Sequence, residues 1–463
     1  MVTVQSERNT DSWRILLFAS SGSELLVLRR ASGLCLPVLH IPPQERIAGN
    51  LNAEAQRLWN VETVCVAPLD IPHPDRTSGH ARYHVMEVCK PEELRRIAPN
   101  VMDVEALNES AFADARDYVA VRRTMKLDAP HSSLASKGPF SDCGAFQTIS
   151  AWVEQQLEPL GRRWDGTLRQ LHASDSFALI RFGTQKSAVW FKATGGPNRR
   201  ELAITQVLSA LFPRHMAKMI AVRSDWNAWL SDEVQGTNLD STNNLELWCS
   251  AAKSLAELQL ASIGHTSPIL ACGGHDSRIA SLLSLVPPFF AAIESLMQAQ
   301  VKTAPRRLNA QEIRATGLRL TEALRELEAA AIPDALNHFD LNPGNAIVYR
   351  GDCQFLDWAE AAIGNPFFSF EYLRQHFVRA LGEGVDAAAE FRKSYVNVWR
   401  TVLSLSAMER TCELMPLVAP FALAATLPWN DPRGDAKSEF GGFLRSLARR
   451  MHREAEQLIL RAA

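Results

Sequence analysis

The chain has 463 residues, of which 46% are hydrophobic and 22% are charged. This composition is that of an ordinary soluble globular protein, and the length predicts two or three hydrophobic cores and therefore more than one domain. Lysine and arginine total 49 against 51 aspartate and glutamate, so the formal net charge is −2. So neutral a chain has no global electrostatic attraction to polyanions, and neither a nucleic acid nor a membrane is expected as a partner.

The cysteines and the apolar runs predict a location. The eight cysteines are scattered, with no CxxC pair and no regular spacing. Zinc sites and a disulfide scaffold are therefore not expected, and a reducing cytoplasm is the simplest location. The first residues lack a basic start followed by an apolar run, and no uninterrupted apolar span is expected to reach the length that a bilayer requires. The oligomeric state stays open.

Residues 1–126 are predicted to form a small α/β domain. Five runs rich in β-branched and apolar residues are typical of short strands, namely WRILLFAS, SELLVLRRAS, LCLPVLHI, VETVCVAPLDI and ARYHVMEVC. Helical stretches are predicted at about 43–59 and 108–125. The following residues, 127–146, are rich in Ser, Pro, Gly and Ala without periodicity, which predicts a linker.

Two further regions follow the linker. Residues 147–236 are predicted to form a small lobe with a helix, three strands, a second helix and a strand pair. Residues 237–463 are predicted to form a larger lobe that is mainly helical. A small mixed sheet followed by a helical lobe suggests a cleft between the two lobes, where ligands tend to bind.

The segment HFDLNPGN stands out within the helical lobe. It places Asp340 and Asn345 five positions apart in a loop whose Pro-Gly pair disfavours a helix. The next residues, AIVYRGDCQFLDW, predict a hairpin that carries Asp357 back beside this loop. Two carboxylates and an amide at one point suit phosphoryl transfer, in which an aspartate receives the acceptor's proton and oxygen ligands hold Mg²⁺.

From about 147 to 463 the chain resembles the aminoglycoside phosphotransferase and choline kinase family, which is related to the protein kinases. The family's catalytic loop reads HxDxxxxN, and its metal-binding aspartate is often followed by Trp. The residues that match in order and spacing are His338, Asp340, Asn345, Asp357 and Trp358. The resemblance implies an α+β, bilobal, protein-kinase-like fold, ATP and Mg²⁺ as cofactors, and a small-molecule hydroxyl as the acceptor.

The resemblance also implies roles for the residues of the loop. Asp340 would orient or deprotonate the acceptor, and Asn345 and Asp357 would bind Mg²⁺. His338 would brace the loop backbone and would not act as the general base. The nearby aromatic residues of WAEAAIGNPFFSFEY are interpreted mainly as core, and a cage for a cationic substrate is the alternative.

In the small lobe, Lys192 and Glu201 resemble the pair that holds the α- and β-phosphates of the nucleotide in this superfamily. Their spacing is short for the family, and the alternative is that Glu201 is a solvated first-turn glutamate favoured by the helix dipole. The turn in LHASDSFAL should cover the phosphates and contains no glycine. Ser174 and Ser176 could cap phosphates there through hydroxyl and amide groups.

The run AWLSDEVQGTNL is similar to the family's hinge between lobes. Backbone groups of Asp232, Glu233 and Val234 would meet the adenine edge, and the alternative is an ordinary strand with a Gly turn. These assignments predict an ATP-dependent small-molecule kinase. The alternatives are a regulatory or nucleotide-binding module without turnover, and transfer of an adenylyl group or transfer to a protein.

The N-terminal domain resembles a degenerate form of the Nudix hydrolase fold, whose helix carries the metal-binding sequence REUxEExGU. Alignment on LNAEAQRLWNV puts Glu54 at one acidic position, whereas Arg57 and Leu58 occupy the positions of the two metal-binding glutamates. Without those carboxylates a diphosphate with Mg²⁺ has no anchor. The domain would then be catalytically silent, and an unrelated small α/β domain is the alternative.

Overall fold

The computed structural model describes residues 10–19, 22–43, 47–69, 71, 82–97, 100–125, 143–174, 176–382, 384–429 and 435–462. The chain mixes helices and strands, as the predicted α+β class requires, and divides into two compact units. The first unit holds the described residues up to Leu202 and also Lys218–Glu233. The second holds Ala203–Ala217 and the described residues from Val234 onward.

The N-terminal part of the first unit is a mixed sheet with three helices. Its strands are β1 (Asp11–Phe18), β2 (Glu24–Leu26), β3 (Leu28–Arg30), β4 (Gly33–Cys35), β5 (Val38–Ile41), β6 (Thr63–Leu69), β7 (Arg82–Val88) and β8 (Val101–Asp103). Its helices are α1 (Ile47–Trp59), α2 (Pro91–Arg95) and α3 (Ala115–Thr124). The sheet order is β6-β7-β1-β2-β8, with β5 paired to β1 and β3 paired only to β4. The predicted strand regions and the first helix are confirmed, except that SELLVLRRAS forms two strands, β2 and β3, and LCLPVLHI also forms two, β4 and β5.

Strand β1 explains why the sequence of the N-terminal sheet contains continuous apolar runs. It pairs in parallel with β7 and antiparallel with β5, so both of its edges are paired and it lies inside the sheet. Ile15 and Leu17 belong to the core that contains α1, whereas Leu16 and Phe18 belong to the core that contains α3. The sequence of a strand that is buried on both faces is apolar throughout and does not alternate between polar and apolar residues.

The rest of the first unit is an antiparallel five-stranded sheet. It contains α4 (Ala145–Leu157), β9 (Trp164–Ala173), β10 (Phe177–Thr184), β11 (Val189–Thr194), β12 (Met219–Arg223) and β13 (Ala228–Asp232). The sheet order is β12-β13-β11-β10-β9. Phe146 and Trp152 of α4 pack in one core with Phe182 and Phe191 of the sheet.

The predicted linker ends earlier than expected. Residues 126–142 lie outside the described residues, but Ala145 and Phe146, which were assigned to the linker, form the first turn of α4. The buried carboxylate of Glu87 on β7 accepts the backbone N–H groups of Gly144 and Phe146. A carboxylate at this position satisfies N–H groups that a helix start leaves without a partner, and thus fixes where α4 begins.

The second unit is mainly helical. Its elements begin with α5 (Glu201–Leu211), whose first two residues belong to the first unit, and continue with β14 (Thr237–Asn238), α6 (Leu245–Ser262), α7 (Thr266–Ala271), β15 (His275–Ser277), α8 (Ile279–Gln298), α9 (Ala310–Ala329), β16 (Ala335–His338), β17 (Ala346–Tyr349), β18 (Asp352–Phe355), β19 (Ala361–Gly364), α10 (Phe367–Leu381), α11 (Val385–Trp399), α12 (Leu405–Ala425) and α13 (Asp435–Ala462). Two small sheets have the orders β14-β17-β18 and β15-β19-β16.

Helix α8 corrects the expectation about apolar spans. Among the described residues it is the helix that is long and apolar enough to cross a membrane, with a mean hydropathy of 1.7. The prediction that no span reaches this length was therefore wrong. Leu282, Phe289 and Ile293 of α8 are fully buried in the core of the second unit, and a core helix meets the same criteria of length and composition.

Candidate active site

The loop predicted to carry the chemistry joins β16 to β17. His338 is the last residue of β16, and Asn345 directly precedes β17. The hairpin of β17 and β18 is present as predicted, with Tyr349 paired to Asp352. After the hairpin, the backbone N–H of Leu356 donates to the carbonyl of Asn345 at 2.9 Å. The hairpin thus returns the chain to the loop and places Asp357 one residue beyond this contact.

The ring of His338 is fully buried and both of its nitrogens are hydrogen-bonded. Nδ1 lies 3.2 Å from the backbone N of Asp340, and because that N–H is a donor, Nδ1 must accept. Nε2 therefore carries the proton and donates to the carbonyl of Leu356 at 2.8 Å. Burial lowers the pKa of the ring. The histidine is neutral and has no nitrogen left to take a proton from a substrate.

The carboxylate of Asp340 is oriented by two amide side chains. Asn342 Nδ2 lies 3.3 Å from Asp340 Oδ1, and Asn345 Nδ2 lies 3.5 Å from Asp340 Oδ2 and 2.9 Å from its backbone carbonyl. Burial raises the pKa of Asp340, the hydrogen bond from Asn342 opposes this, and the charge of Asp357 adds to it. Asp340 is therefore a stronger base than an exposed aspartate.

Asp357 adopts an uncommon backbone conformation. Its φ of 65° and ψ of 68° lie in the left-handed region, which a non-glycine residue adopts only when the surrounding structure holds it there. The next residue, Trp358, is buried, and its ring lies 4.5 Å from that of His338 between centroids. Its indole N–H donates to the carbonyl of Phe355 at 3.0 Å. The tryptophan thus anchors the segment that carries Asp357.

Asn345 and Asp357 fit a magnesium ion by the chemistry of their donor atoms. The amide nitrogen of Asn345 donates to Asp340, so its oxygen is the atom that can serve as a ligand. Mg²⁺ prefers oxygen ligands and is usually held by one or two side chains together with phosphate oxygens and water. In the described part of the chain no cluster of three or more His, Cys, Asp or Glu side chains could hold a metal. The two side chains offer one amide oxygen and one carboxylate to such an ion.

The sequence interpretation missed the polar support beneath the loop. Ser369 Oγ accepts the backbone N–H of His338 at 2.7 Å and donates to Asn337 Oδ1 at 2.9 Å. Ser369 and Asn337 are both fully buried. A serine and an asparagine among apolar residues at buried positions are a usable sequence signal, because buried polar groups need partners.

Two further side chains near Asp340 were not assigned a role. Burial lowers the pKa of His338 and raises that of Asp340; the charge of Glu360 opposes the first shift and adds to the second, and its carboxylate lies 3.1 Å from His275 Nε2. Burial, followed by the charge of Asp340, raises the pKa of Tyr372, which is half-buried. The other rings of the aromatic cluster are buried, as the core interpretation predicted. They are Trp358, Phe367, Phe368 and Phe370.

The ion pair predicted in the first unit is present. Lys192 Nζ lies 2.5 Å from Glu201 Oε1, and the side chains are 10% and 1% exposed. The ammonium group also lies 5.3 Å from the ring centroid of Phe177 and 5.6 Å from that of Trp229. The interpretation of Glu201 as a solvated first-turn residue was therefore wrong, because its carboxylate is buried against the lysine.

The two serines lie in the turn between β9 and β10. The backbone N–H of Ser174 donates to Phe177 at 2.8 Å, and that of Ser176 donates to Ser174 Oγ at 3.3 Å. Asp175 lies outside the described residues. The hydroxyl of Ser174 thus shapes the turn by accepting a local hydrogen bond, which is how a serine can replace a glycine-rich turn.

The hinge assignment needs a correction. The backbone N–H of Asp232 donates to Lys218 at 2.9 Å, and that of Glu233 donates to Ala188 at 3.0 Å. Neither N–H can meet an adenine edge without breaking a contact of the sheet. The side chains are also occupied, since Asp232 pairs with Arg162 and Glu233 with Arg181. Among the N–H groups of the three predicted residues, that of Val234 is therefore the candidate that remains for the adenine edge.

The degenerate Nudix sequence lies on α1. Glu54 accepts two hydrogen bonds from Arg57, at 2.8 and 2.6 Å. Glu54 is therefore paired with the arginine that the alignment puts at the position of a metal-binding glutamate. This ion pair does not test the resemblance to the Nudix fold.

Comparisons with known proteins give one family match and several similar solved structures. Residues 196–403 match the phosphotransferase enzyme family (APH). A macrolide 2'-phosphotransferase from Brachybacterium faecium is similar at 15% identity, covering 64% of this chain and 97% of that chain with a TM-score of 0.43. A choline kinase from Cryptosporidium parvum Iowa II is similar at 12% identity, covering 68% and 97% with a TM-score of 0.47.

A choline kinase from Streptococcus pneumoniae is similar at 14% identity, covering 66% of this chain and 99% of that chain with a TM-score of 0.41. No curated protein sequence matches the chain. Residues 196–403 of this chain match the phosphotransferase enzyme family, and this range includes Glu201, the loop HFDLNPGN and Asp357.

Proposed function

We propose that this protein is an ATP- and Mg²⁺-dependent kinase that transfers the γ-phosphoryl group to a hydroxyl of a small molecule. The observation that carries the proposal is the geometry of the loop. Asn345 binds the main chain of Asp340 at 2.9 Å and approaches its carboxylate, while His338 is locked beneath them. A base and a metal ligand are thereby held together by one short segment.

Asp340 is assigned the proton transfer. The proton of the acceptor hydroxyl passes to the carboxylate, the acceptor oxygen bonds to the γ-phosphorus, and the bond from that phosphorus to the bridging oxygen of ADP breaks. Burial raises the pKa of Asp340, which suits a group that must hold a proton during the transfer. The amides of Asn342 and Asn345 keep the carboxylate oriented.

Asn345 and Asp357 are assigned the metal ligands. When bound, magnesium supplies positive charge that neutralises the phosphate oxygens. The two side chains contribute one amide oxygen and one carboxylate. Their spacing is fixed by the contact between Leu356 and Asn345, because that hydrogen bond joins the two segments.

The donor phosphates are assigned to the first unit. Lys192 would neutralise charge on the α- and β-phosphates, and Glu201 would hold its ammonium group in place. Ser174 and Ser176 would contribute polar groups from their turn. Val234 is proposed for the adenine edge. A cytoplasmic location is also proposed, since all eight cysteines are free thiols.

One observation favours a second candidate, a nucleotide-binding or regulatory module without turnover. The amide of Ser176 already donates to Ser174 Oγ, so the turn offers phosphate one donor fewer than a free glycine-rich loop would. Adenylyl transfer and a protein acceptor are further candidates. Mass spectrometry separates phosphoryl from adenylyl transfer, since the first releases ADP and the second releases diphosphate, and the mass gained by the acceptor shows whether that acceptor is a protein.

The test is thermal stabilisation by ATP with and without Mg²⁺, followed by a screen for ADP release over hydroxylated metabolites and aminoglycosides. We expect Mg²⁺ to strengthen the stabilisation by ATP, and Asp357→Asn or Asn345→Ala to abolish that increment. Asp386→Asn is the matched control, because it removes an exposed carboxylate at the start of α11. ATP binding that ignores Mg²⁺, without ADP release from any compound, would favour the module without turnover.

A further inference from the structure

A cavity of about 710 Å³ lies in the first unit. Its walls come from α1, the start of β6, helix α2 with the residues around it, and β9. None of the residues assigned to phosphoryl transfer lines it. Its volume is within the range of pockets that hold small metabolites.

Helix α1 turns a small and polar face towards this cavity. The cavity-lining residues of that face follow one another at helical spacing, and they are Gly49, Asn52, Ala53 and Gln56. The buried residues of the helix pack in the core, and they are Ala48, Leu51 and Ala55. Short and amide side chains leave room and offer hydrogen bonds where a core-facing helix would carry apolar groups.

The floor of the cavity is a fixed polar network. Gln170 on β9 donates to the carbonyl of Cys65 at 2.8 Å and accepts its N–H at 2.7 Å, so the amide continues the edge of β6. Asn52 Nδ2 donates to the same Gln170 oxygen at 3.0 Å, and Thr63 Oγ1 donates to Asn52 Oδ1 at 3.2 Å. A satisfied network of this kind holds its surface rigid, which preorganises a site for a polar ligand.

The charges around the cavity leave an excess of positive charge. Lys90 Nζ lies 3.7 Å from Glu93 and 4.0 Å from Glu62, so one lysine serves two carboxylates. Arg96 and Arg169, which are both exposed, also line the cavity, and no ion pair or side-chain hydrogen bond joins either of them to another described residue. Three cationic and two anionic side chains therefore line the cavity, and this excess of positive charge favours an anionic ligand. Guanidinium groups bind phosphate and carboxylate in the same bidentate way.

The lining also selects against flat aromatic ligands. No aromatic side chain is among the described residues that line the cavity, so a nucleobase would have no ring to stack on. Amides, a threonine and two carboxylates instead provide donors and acceptors for hydroxyl groups. We propose that this cavity is a second ligand site of the protein, which binds a small polyhydroxylated anion, either a sugar phosphate or a sugar acid.

The test is isothermal titration of the full chain with D-glucose 6-phosphate, D-ribose 5-phosphate, D-gluconate, D-glucose and inorganic phosphate. The first variant, Arg96→Gln with Arg169→Gln, removes two of the three positive charges that line the cavity. The second, Ala53→Leu, fills the cavity from an exposed helical position without changing charge. Arg30→Gln is the matched control, since Arg30 is an exposed arginine on β3 outside the cavity. Thermal melts of each variant without ligand verify folding.

We expect at least one sugar phosphate or gluconate to bind with a Kd below about 1 mM. Glucose and inorganic phosphate should each bind about tenfold more weakly, because each lacks half of the recognised groups. Both cavity variants should weaken binding about tenfold or more, whereas Arg30→Gln and Asp340→Asn should leave it unchanged. A preference for phosphate esters or for gluconate then identifies the anion.

The proposal is overturned if none of the polyhydroxylated anions binds, or if inorganic phosphate binds as tightly as its sugar esters. It is also overturned if binding survives in both folded cavity variants. Loss of binding in Asp340→Asn would assign the ligand to the phosphotransferase site. This test does not depend on turnover, so its outcome is separate from that of the proposed kinase activity.

Discussion

Nδ1 of His338 accepts the backbone N–H of Asp340 at 3.2 Å, so the histidine holds the aspartate by its main chain and leaves the carboxylate to the amides of Asn342 and Asn345. Because Nε2 donates to Leu356, the same ring also ties the loop to the segment that leads to Asp357. One buried imidazole thus fixes the relative positions of the proposed base and the proposed metal ligand.

Replacing His338 should therefore act through position and not through proton transfer. His338→Ala leaves the buried N–H of Asp340 and the carbonyl of Leu356 unpaired and should lower the free energy of unfolding by roughly 2–5 kcal/mol. Displacement of the loop should lower kcat/KM about a hundredfold. Chemical denaturation and initial rates measure the two effects.

His338→Asn is the matched variant, because an asparagine oxygen can accept the Asp340 N–H while the Nε2 donor is lost. It should retain more activity than His338→Ala, with the pH profile of the parent protein. If both variants lost activity equally and also lost the acidic limb of the profile, His338 would have to be the base.

The pH dependence of turnover should report Asp340. Because burial raises the pKa of Asp340, the acidic limb of kcat/KM should lie above the ordinary aspartate range. Asn342→Asp removes the hydrogen bond that opposes this shift and adds a like charge, so the limb should move to higher pH. The new carboxylate can still accept the N–H of Gly344, which keeps the turn intact. An unchanged limb would mean that another group sets it.

The buried pair of Lys192 and Glu201 allows stability and activity to be separated. Lys192→Met leaves the carboxylate of Glu201 buried at 1% exposure without its ammonium partner, which should cost about 3–5 kcal/mol of unfolding free energy. The double variant Lys192→Met with Glu201→Gln should recover most of that loss. Turnover by both variants should stay at least about a hundredfold below that of the parent protein, because the Lys192 ammonium group that would neutralise the phosphates is absent.

Recovery of turnover together with stability in the double variant would contradict the role assigned to Lys192. Denaturation midpoints and ADP release, measured on the same preparations, decide between the two outcomes.

Glu87 should make the stability of the first unit depend on pH. Burial raises its pKa to about 7, although N–H groups at the start of α4 act in the opposite direction. Between the unfolded pKa near 4.5 and the folded value near 7, the folded state holds a proton that the unfolded state has lost. The contribution to stability is therefore complete below about pH 4.5 and is lost as the pH rises through 7.

The loss amounts to about 3 kcal/mol, and thermal melts from pH 5 to pH 8 should show it as a falling midpoint. Glu87→Gln removes the titration and should flatten the fall, whereas Glu92→Gln, at an exposed position in the first turn of α2, should not. Equal slopes in all three proteins would refute the assignment to Glu87.

The elements with strong local signals were predictable. The hairpin of β17 and β18 has a turn sequence between two apolar runs, and α5 has apolar residues at helical spacing, so both follow from local rules. The catalytic loop was found because its spacing matches a known family. Strand β15 was missed because three residues carry too little periodicity to distinguish a strand from a turn.

Other features depend on contacts between distant parts of the chain. The start of α4 is fixed by Glu87, which lies 57 residues before Gly144, and the N–H groups of Asp232 and Glu233 are occupied by neighbours in the sheet. The polar cavity beside α1 needs β9 as a wall, and the two are far apart in the sequence. Such partners become visible only when the tertiary structure is known.

The most direct test of the central claim is ADP release by the parent protein and by Asp340→Asn, measured with Mg²⁺, ATP and the best acceptor from the screen. We predict Mg²⁺-dependent turnover that falls by a factor of about 10² or more in the variant, while stabilisation by ATP and Mg²⁺ is retained. Equal turnover in the two proteins, or no turnover with any acceptor, would contradict the assignment of this chain as a small-molecule kinase with Asp340 as its base.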